Sequence, residues 1–152
     1  MSDLVTSSQE RIPPVALLLG LSGTLPFIAA AIGCWADPEL ARRPLWLPAG
    51  LAYGAVILSF LGGIRWGASL GSHQRRPQFA LSVLPCIAGW VALLVPAVPG
   101  ISLLIAGFLL QALWDVTGVQ TGRLPDWFGK LRMIATAIVI ISLLGMLGKV
   151  AL

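Results

Sequence analysis

The sequence is poor in charge. Only 11% of its 152 residues are Asp, Glu, Lys or Arg, whereas 57% are hydrophobic. Soluble domains carry about 25% charged residues and about 45–50% apolar ones, so this chain has too few polar side chains to cover a surface in water. We therefore predict a membrane protein. Because one crossing needs about 20 apolar residues, the chain allows five or six crossings and excludes a large domain outside the membrane.

Residue types that carry catalysis or bind metals are also scarce. The one histidine, His73, and the two cysteines, Cys34 and Cys86, form no cluster with metal-ligand spacing, and we expect both cysteines to be small buried residues. No Gly-rich phosphate loop, nucleophile elbow or HExxH helix is present. We therefore expect no catalytic residue, no metal, no cofactor and no enzyme activity. The ten basic residues form no stripe that would bind nucleic acid.

Five apolar windows predict five transmembrane helices. The windows are rich in Leu and Ala and lack period-two alternation, which favours helices over strands. The predicted fold class is all-α, a polytopic membrane protein built as a bundle of five transmembrane helices. A short polar tail, residues 1–13, precedes a single domain, residues 14–152. The predicted helices are about 15–35, 45–70, 79–95, 101–117 and 127–148. Pro26 and Pro85 fall inside the first and third helices and are expected to bend them.

Basic residues in the short loops predict the orientation. Three of them, Arg42, Arg43 and Lys149, lie on the side opposite the N-terminus. The side that holds the N-terminus has seven: Arg11, Arg65, Arg75, Arg76, Arg123, Lys130 and Arg132. The positive-inside rule then places the N-terminus in the cytoplasm and the C-terminus on the opposite side. Lys130 and Arg132, near the start of the fifth helix, are expected to meet anionic lipid headgroups.

Small residues recur at every fourth position of the second predicted helix. This stripe consists of Ala55, Ser59, Gly63, Gly67 and Gly71. Lipid chains are as apolar as Leu, so transmembrane helices associate through close van der Waals contact, which small residues permit. We expect the stripe to pack against another helix of the same chain, with a second copy of the protein as the alternative.

Two ionisable residues are predicted at membrane depth. At about 1.5 Å per residue, Asp115 lies some 21 Å from Ile101, and Arg65 lies about 28 Å from Trp46. The hydrocarbon layer is roughly 30 Å thick, and a charge inside it costs about 2.5–3.5 kcal/mol, so it normally has a partner. We predict an ion pair between Arg65 and Asp115. Three further residues are expected beside it: Gln111, Trp66 and Trp114.

This group allows two interpretations. In the first, the ion pair only fixes the second predicted helix against the fourth. In the second, it belongs to a polar pocket in the cytoplasmic leaflet that binds a small amphipathic ligand, such as a lipid, a quinone or a porphyrin. The guanidinium suits an anionic or carbonyl-bearing ligand, and indole rings could flank a flat one.

The same residues carry a resemblance to a known family. The run from Ala52 to Gly67, with its core Gly62-Gly63-Ile64-Arg65-Trp66-Gly67, and the later Gln111-Ala112-Leu113-Trp114-Asp115 resemble a family of small five-helix membrane proteins. This family is a domain of unknown function in bacteria, and its mitochondrial relatives are named transmembrane protein sixty-nine. The resemblance covers about Pro14 to Leu147 and implies the fold and a multi-pass location in the bacterial inner (plasma) membrane, but no activity.

Two functions remain open on these grounds. The favoured one is a non-catalytic accessory, assembly or structural protein that packs through the small-residue stripe. The alternative is a binder or carrier of an amphipathic ligand at Arg65 and Asp115. The expected partners are membrane lipids, together with another membrane protein or a second copy of the chain, and no nucleic acid.

Overall fold

The protein is a bundle of helices. A computed structural model describes residues 12–36, 45–70, 76–120 and 124–152, and these ranges contain no strand. Their helices are α1 (Pro14–Ser22), α2 (Leu25–Ala36), α3 (Trp46–Ser69), α4 (Arg76–Leu94), α5 (Ala97–Gln120) and α6 (Asp126–Ala151). Because α1 and α2 continue each other across a short turn, the bundle has five helical segments, and the prediction of an all-α five-helix bundle is confirmed. Most of the polar tail, residues 1–11, lies outside the described residues.

Four of these segments have the length and hydropathy of membrane spans. They are Pro14–Ala36, Trp46–Gly67, Ala97–Gln120 and Asp126–Ala151. The apolar part of α4, Phe79–Leu94, is shorter, and at about 1.5 Å per residue it extends roughly 24 Å. The helix α5 starts four residues before the predicted Ile101, because prolines are tolerated in the first turn of a helix.

The first segment is broken, and not where the sequence suggested. A continuous helix bent at Pro26 was expected, but the helix ends at Ser22 and restarts at Leu25. Pro26 then lies in the first turn of α2, where its missing N–H has no helical partner to lose. The carbonyl of Gly23 at the break accepts a hydrogen bond of 3.0 Å from the Tyr53 hydroxyl, so the interruption is satisfied by a side chain of α3.

The core lies where α2, α3, α5 and α6 meet. Phe27 of α2 is fully buried, with edge-to-face ring contacts to Tyr53 at 5.1 Å and to Phe108 at 5.7 Å between centroids. Leu58, Leu104 and other apolar side chains fill the space around these rings. Edge-to-face geometry of this kind contributes beyond the burial of area, so the aromatic cluster helps to set the angles between α2, α3 and α5.

Close approaches between α3 and α4 depend on glycine. A Cβ added at Gly89 would lie 3.0 Å from Ala55 Cα, and one added at Gly62 would collide with the carbonyl oxygen of Ser82. Pro85 lies within α4, and its ring lies 3.5 Å from the same Gly62 position. The two helices therefore approach each other at backbone distance, as expected for association without a hydrophobic driving force.

The surface of the bundle is apolar, whereas its interior holds charge. Large hydrophobic side chains such as Val56, Leu113 and Ile141 are more than 60% exposed, while Arg65 and Asp115 are buried. An apolar surface around a charged interior is unfavourable in water and favourable in lipid. The fold is therefore that of a multi-pass membrane protein. Cys34 is buried as expected; Cys86 is exposed, so the expectation that both are buried is wrong for Cys86, which α4 places on its outer face.

Neighbouring glycines of α3 should respond differently to the same change. Gly62→Ala should destabilise the protein by about 1–3 kcal/mol, because the methyl group has no space against Ser82. Gly63→Ala is the matched control: nothing among the described residues lies within 4 Å of its added Cβ, and Ala favours helix over Gly by up to about 1 kcal/mol. Thermal unfolding in detergent measures the stability of the two variants. Equal loss in the two variants would contradict the packing described here.

Candidate functional site

The centre of the site is a buried ion pair between α3 and α5. Arg65 donates to one oxygen of Asp115, with Nε at 3.1 Å and Nη2 at 2.8 Å from Oδ1. The two side chains are only 9% and 4% exposed. The structure therefore brings together the two charges that the sequence placed at similar membrane depth. At this burial the hydrogen bonds gain strength from the low dielectric, and each charge depends on its partner.

A second arginine completes the cluster from α6. Arg132 Nε donates to the other oxygen of Asp115 at 2.9 Å, and its side chain is 13% exposed. The expectation that Arg132 meets lipid headgroups is wrong, because its guanidinium faces the protein interior. Arg65, Asp115 and Arg132, hereafter the charge cluster, lie on the order of 6–9 Å inside the nearer ends of their helices at about 1.5 Å per residue. One carboxylate thus connects three helices.

The three side chains predicted beside the pair have different surroundings. Trp114 covers the arginine, with Arg65 Cζ 4.7 Å from its ring centroid, a cation–π contact. Gln111 is buried one turn from Asp115, and its Nε2 lies 3.4 Å from the carbonyl oxygen of Leu61. Trp66 is 45% exposed and instead forms an edge-to-face contact with Phe79 at 5.0 Å. Trp66 therefore belongs to the outer surface of α3, while Gln111 and Trp114 belong to the site.

The small-residue stripe is divided between two environments. Ala55 is buried against Gly89 of α4, and the Ser59 hydroxyl bonds back to the Ala55 carbonyl oxygen at 2.7 Å. Gly63 and Gly67 are exposed, with no described atom within 4 Å of an added Cβ. Ala55 thus packs internally as expected, whereas Gly63 and Gly67 contact no other helix within the described residues, because α4 meets α3 on the face of Gly62 instead. Gly71 lies outside the described residues.

The chemistry of the cluster is electrostatic. Both oxygens of Asp115 already accept from arginine, which leaves no free carboxylate for acid–base work. Within the ranges that the structure describes, no three His, Cys, Asp or Glu side chains come close enough to hold a metal ion; His73 lies outside these ranges. Two guanidinium groups against one carboxylate give the charge cluster a formal excess of one positive charge. The arrangement can hold helices together and attract an anion.

Changes at the charge cluster should have unequal effects. Asp115→Asn leaves two buried guanidinium groups without a counterion, so it should cost about 3–5 kcal/mol. Arg65→Met should cost less, because Arg132 still neutralises Asp115. When Asp115→Asn and Arg65→Met are combined, the loss of unfolding free energy should differ from the sum of the two single losses by about 0.5–3 kcal/mol, as expected for residues in contact. Denaturant or thermal unfolding in detergent provides the measurement, with Asp126→Asn at the start of α6 as the control acidic residue. Strict additivity would contradict the coupling.

Comparisons with known proteins place the chain in a family. A family model described as protein of unknown function (DUF3429) matches residues 12–148. A protein named transmembrane protein 69 from Xenopus tropicalis is 36% identical over 146 residues, covering 89% of this chain and 54% of that protein. The mouse (Mus musculus) protein of the same name is 30% identical over 145 residues, covering 86% and 54%. This chain thus spans about half the length of these curated relatives. No solved structure matches it. The chain belongs to the DUF3429 family of membrane proteins.

Proposed function

We propose that the protein is a non-catalytic accessory or assembly protein of the bacterial inner membrane, which binds a transmembrane helix of a partner protein through the outer face of α3. One observation carries this proposal. Exposed residues follow each other along α3 and its C-cap, Leu70, at alternating spacings of four and three, so they share one face, and two of them are glycines. We call this the α3 open face: Val56, Phe60, Gly63, Gly67 and Leu70.

The two glycines of the α3 open face lack an internal role among the described residues. Elsewhere on the same helix, glycine has a packing function: Gly54 lies against Leu104, and Gly50 lies against Ala30 and Met146. Glycine inside a helix costs about 1 kcal/mol relative to Ala, and lipid contact does not offset this cost. A pair of glycines four residues apart is the pattern that lets a second transmembrane helix approach closely. Gly63 and Gly67 therefore support an external partner.

The rest of α3 is held in a fixed position. Arg65 is bound to Asp115 of α5, and the carbonyl oxygen of Leu61 accepts a hydrogen bond from Gln111, which is also on α5. Close contact with α4 at Gly62 fixes a further side. A helix that is fixed on its inner faces presents its remaining face without rearrangement, and such preorganisation lowers the cost of association.

The ligand-binding alternative at Arg65 has less support. The two nitrogens that face Asp115 are engaged by it, and Trp114 covers the guanidinium. An incoming ligand would have to displace a buried carboxylate, which costs several kcal/mol on the order of a broken buried ion pair. Trp66, the other expected ligand contact, faces away toward Phe79. The charge pair between Arg65 and Asp115 therefore suits a structural role.

The proposed orientation has its own test. With the N-terminus in the cytoplasm, green fluorescent protein fused to the N-terminus should fluoresce, and alkaline phosphatase fused after Leu152 should be active. This result follows from the excess of basic residues on the N-terminal side. The reciprocal fusions are the controls and should be inactive. An inactive C-terminal phosphatase together with a fluorescent C-terminal fusion would reverse the assignment.

Site-specific photocrosslinking tests the α3 open face. A photoreactive amino acid at Val56, which is 62% exposed, should crosslink to one defined membrane protein in cells, whereas the same amino acid at Leu144 on α6, 51% exposed, should react only with lipid. Adding Gly63→Leu and Gly67→Leu should abolish the protein adduct, because leucine side chains fill the space that a partner helix needs.

The outcomes separate the possible partners. The leucine variants must keep the wild-type melting temperature. Gly148→Leu on α6 is the matched control that should retain the adduct: this glycine is exposed, and its added Cβ lies 4.0 Å from Trp35. An adduct between two copies of the chain would show that the α3 open face binds a second copy and not a different protein. Adducts that persist in the leucine variants, or that form equally from Leu144, would contradict the proposal.

A further inference from the structure

A cavity lies beside the charge cluster, between the first segment and α3, α5 and α6. Its volume is about 160 Å³. Most of its lining is hydrocarbon, and two polar side chains of α6 enter that lining, Arg132 and Thr136. We call this the Arg132 cavity. It is separate from the face of Arg65 that Trp114 covers, since neither Arg65 nor Trp114 lines it.

Two donors in the Arg132 cavity have no hydrogen-bond partner among the residues that the structure describes. Arg132 Nη2 and Thr136 Oγ1 are buried, and neither finds an acceptor in the part of the chain that is described. Thr136 is only 6% exposed. The residues are four apart on α6, so they lie on one face of the helix about one turn apart. A buried donor left without a partner costs about 1–3 kcal/mol, more if it is charged, so a ligand that accepts from both would be strongly favoured.

The charge of the surroundings selects an anion. The cluster has two arginines and one aspartate, and both oxygens of that aspartate are already used. The other acidic residue among the described ones, Asp126, lines a separate groove with Lys130. Water could accept the two hydrogen bonds, but it would leave the excess positive charge uncompensated. One negative charge on the ligand would neutralise the site.

The apolar lining selects an amphiphile that comes from the membrane. Phe27, Ile57 and Phe108 form much of the wall. The volume equals about five water molecules at about 30 Å³ each, which suits a carboxylate with a first stretch of chain and excludes a large headgroup. The cavity borders the lipid on its α1 side, because Leu19 lines it and is 63% exposed. Its α1 wall has no buried residue, so the remaining chain can extend sideways into lipid.

We propose that the Arg132 cavity binds the carboxylate of a single-chain amphiphile, with Arg132 Nη2 and Thr136 Oγ1 as donors and the apolar wall around its hydrocarbon chain. Phe60 belongs both to this lining and to the α3 open face, but the donors lie on α6 and the exposed Leu19 lies on α1, so the site does not require the partner helix proposed for α3. A small free carboxylate has the same head chemistry but no chain, so the two sources can be distinguished by experiment.

Binding of laurate to the full chain in a neutral detergent tests this site, with native mass spectrometry and thermal shift as readouts. Laurate should bind at one molecule per chain and raise the melting temperature by mass action. Dodecanol, which has the chain without the charge, and acetate, which has the charge without the chain, should each bind at least tenfold more weakly. A hydrogen bond to a charged group supports a change of this size.

Two variants connect the binding to the donors. Thr136→Val keeps the shape and removes the hydroxyl, and should weaken laurate binding roughly tenfold. The ligand-free variant should be as stable as the wild type or more so, since that hydroxyl has no partner within the described ranges of the chain. Arg132→Gln should abolish binding. Lys130→Gln, a basic residue of the same helix that lines the other groove, is the matched control and should bind like the wild type.

Several results would overturn the assignment. Equal binding of dodecanol and laurate would show partitioning without a site for the carboxylate. Acetate binding as tightly as laurate would make the cavity a small-anion site. Laurate binding that is unchanged in Thr136→Val and in Arg132→Gln would place the ligand elsewhere, and no saturable laurate binding to the wild type would remove the proposal. None of these results bears on the crosslinks of the α3 open face.

Discussion

The architecture depends on a single carboxylate. Asp115 on α5 accepts from Arg65 of α3 through one oxygen and from Arg132 of α6 through the other. In lipid most contacts between helices are van der Waals contacts, which set a distance but tolerate sliding and rotation. A buried ionic hydrogen bond is directional, so it fixes the register and rotation of three helices at once. The cost of burying these charges makes the arrangement selective, because any other register leaves at least one of them unpaired.

Glycine has two different roles around this centre. Where helices of the chain meet, as at Gly62 and Gly89, it allows backbones to approach within contact distance. At Gly63 and Gly67 no atom of the described residues lies within 4 Å of an added Cβ, so the same residue type leaves this part of the outer surface of α3 open. The cluster determines which glycines serve which role, because the bond to Arg65 fixes how α3 is rotated, and adjacent residues of a helix are about 100° apart. Internal packing and the open face are therefore consequences of one constraint.

Much of the fold could be predicted from the sequence, because hydrophobic length and helix period determine a transmembrane bundle. The pairing of Arg65 with Asp115 follows from their similar depth. The position of Trp66 could not be predicted, because it is adjacent to Arg65, and the rotation that aims Arg65 inward turns Trp66 outward. Arg132 was missed because six residues from a helix start is consistent with a lipid-facing snorkelling residue as well as with a buried one. The burial of Arg132 follows from its position opposite Asp115, which only the tertiary structure shows.

The second arginine is the feature that helix packing alone does not explain. One arginine and one aspartate would join two helices with no net charge, and an apolar residue at position 132 would pack α6 at lower cost. With Arg132 present, α6 joins the cluster, but the cluster then has one excess positive charge. The Nη2 atom of Arg132 has no acceptor in the described part of the chain. That nitrogen belongs to the same cavity wall as the unpartnered hydroxyl of Thr136. Two donors on one wall that have no partner among the described residues, next to excess positive charge and open to lipid, are the features from which we infer a carboxylate ligand.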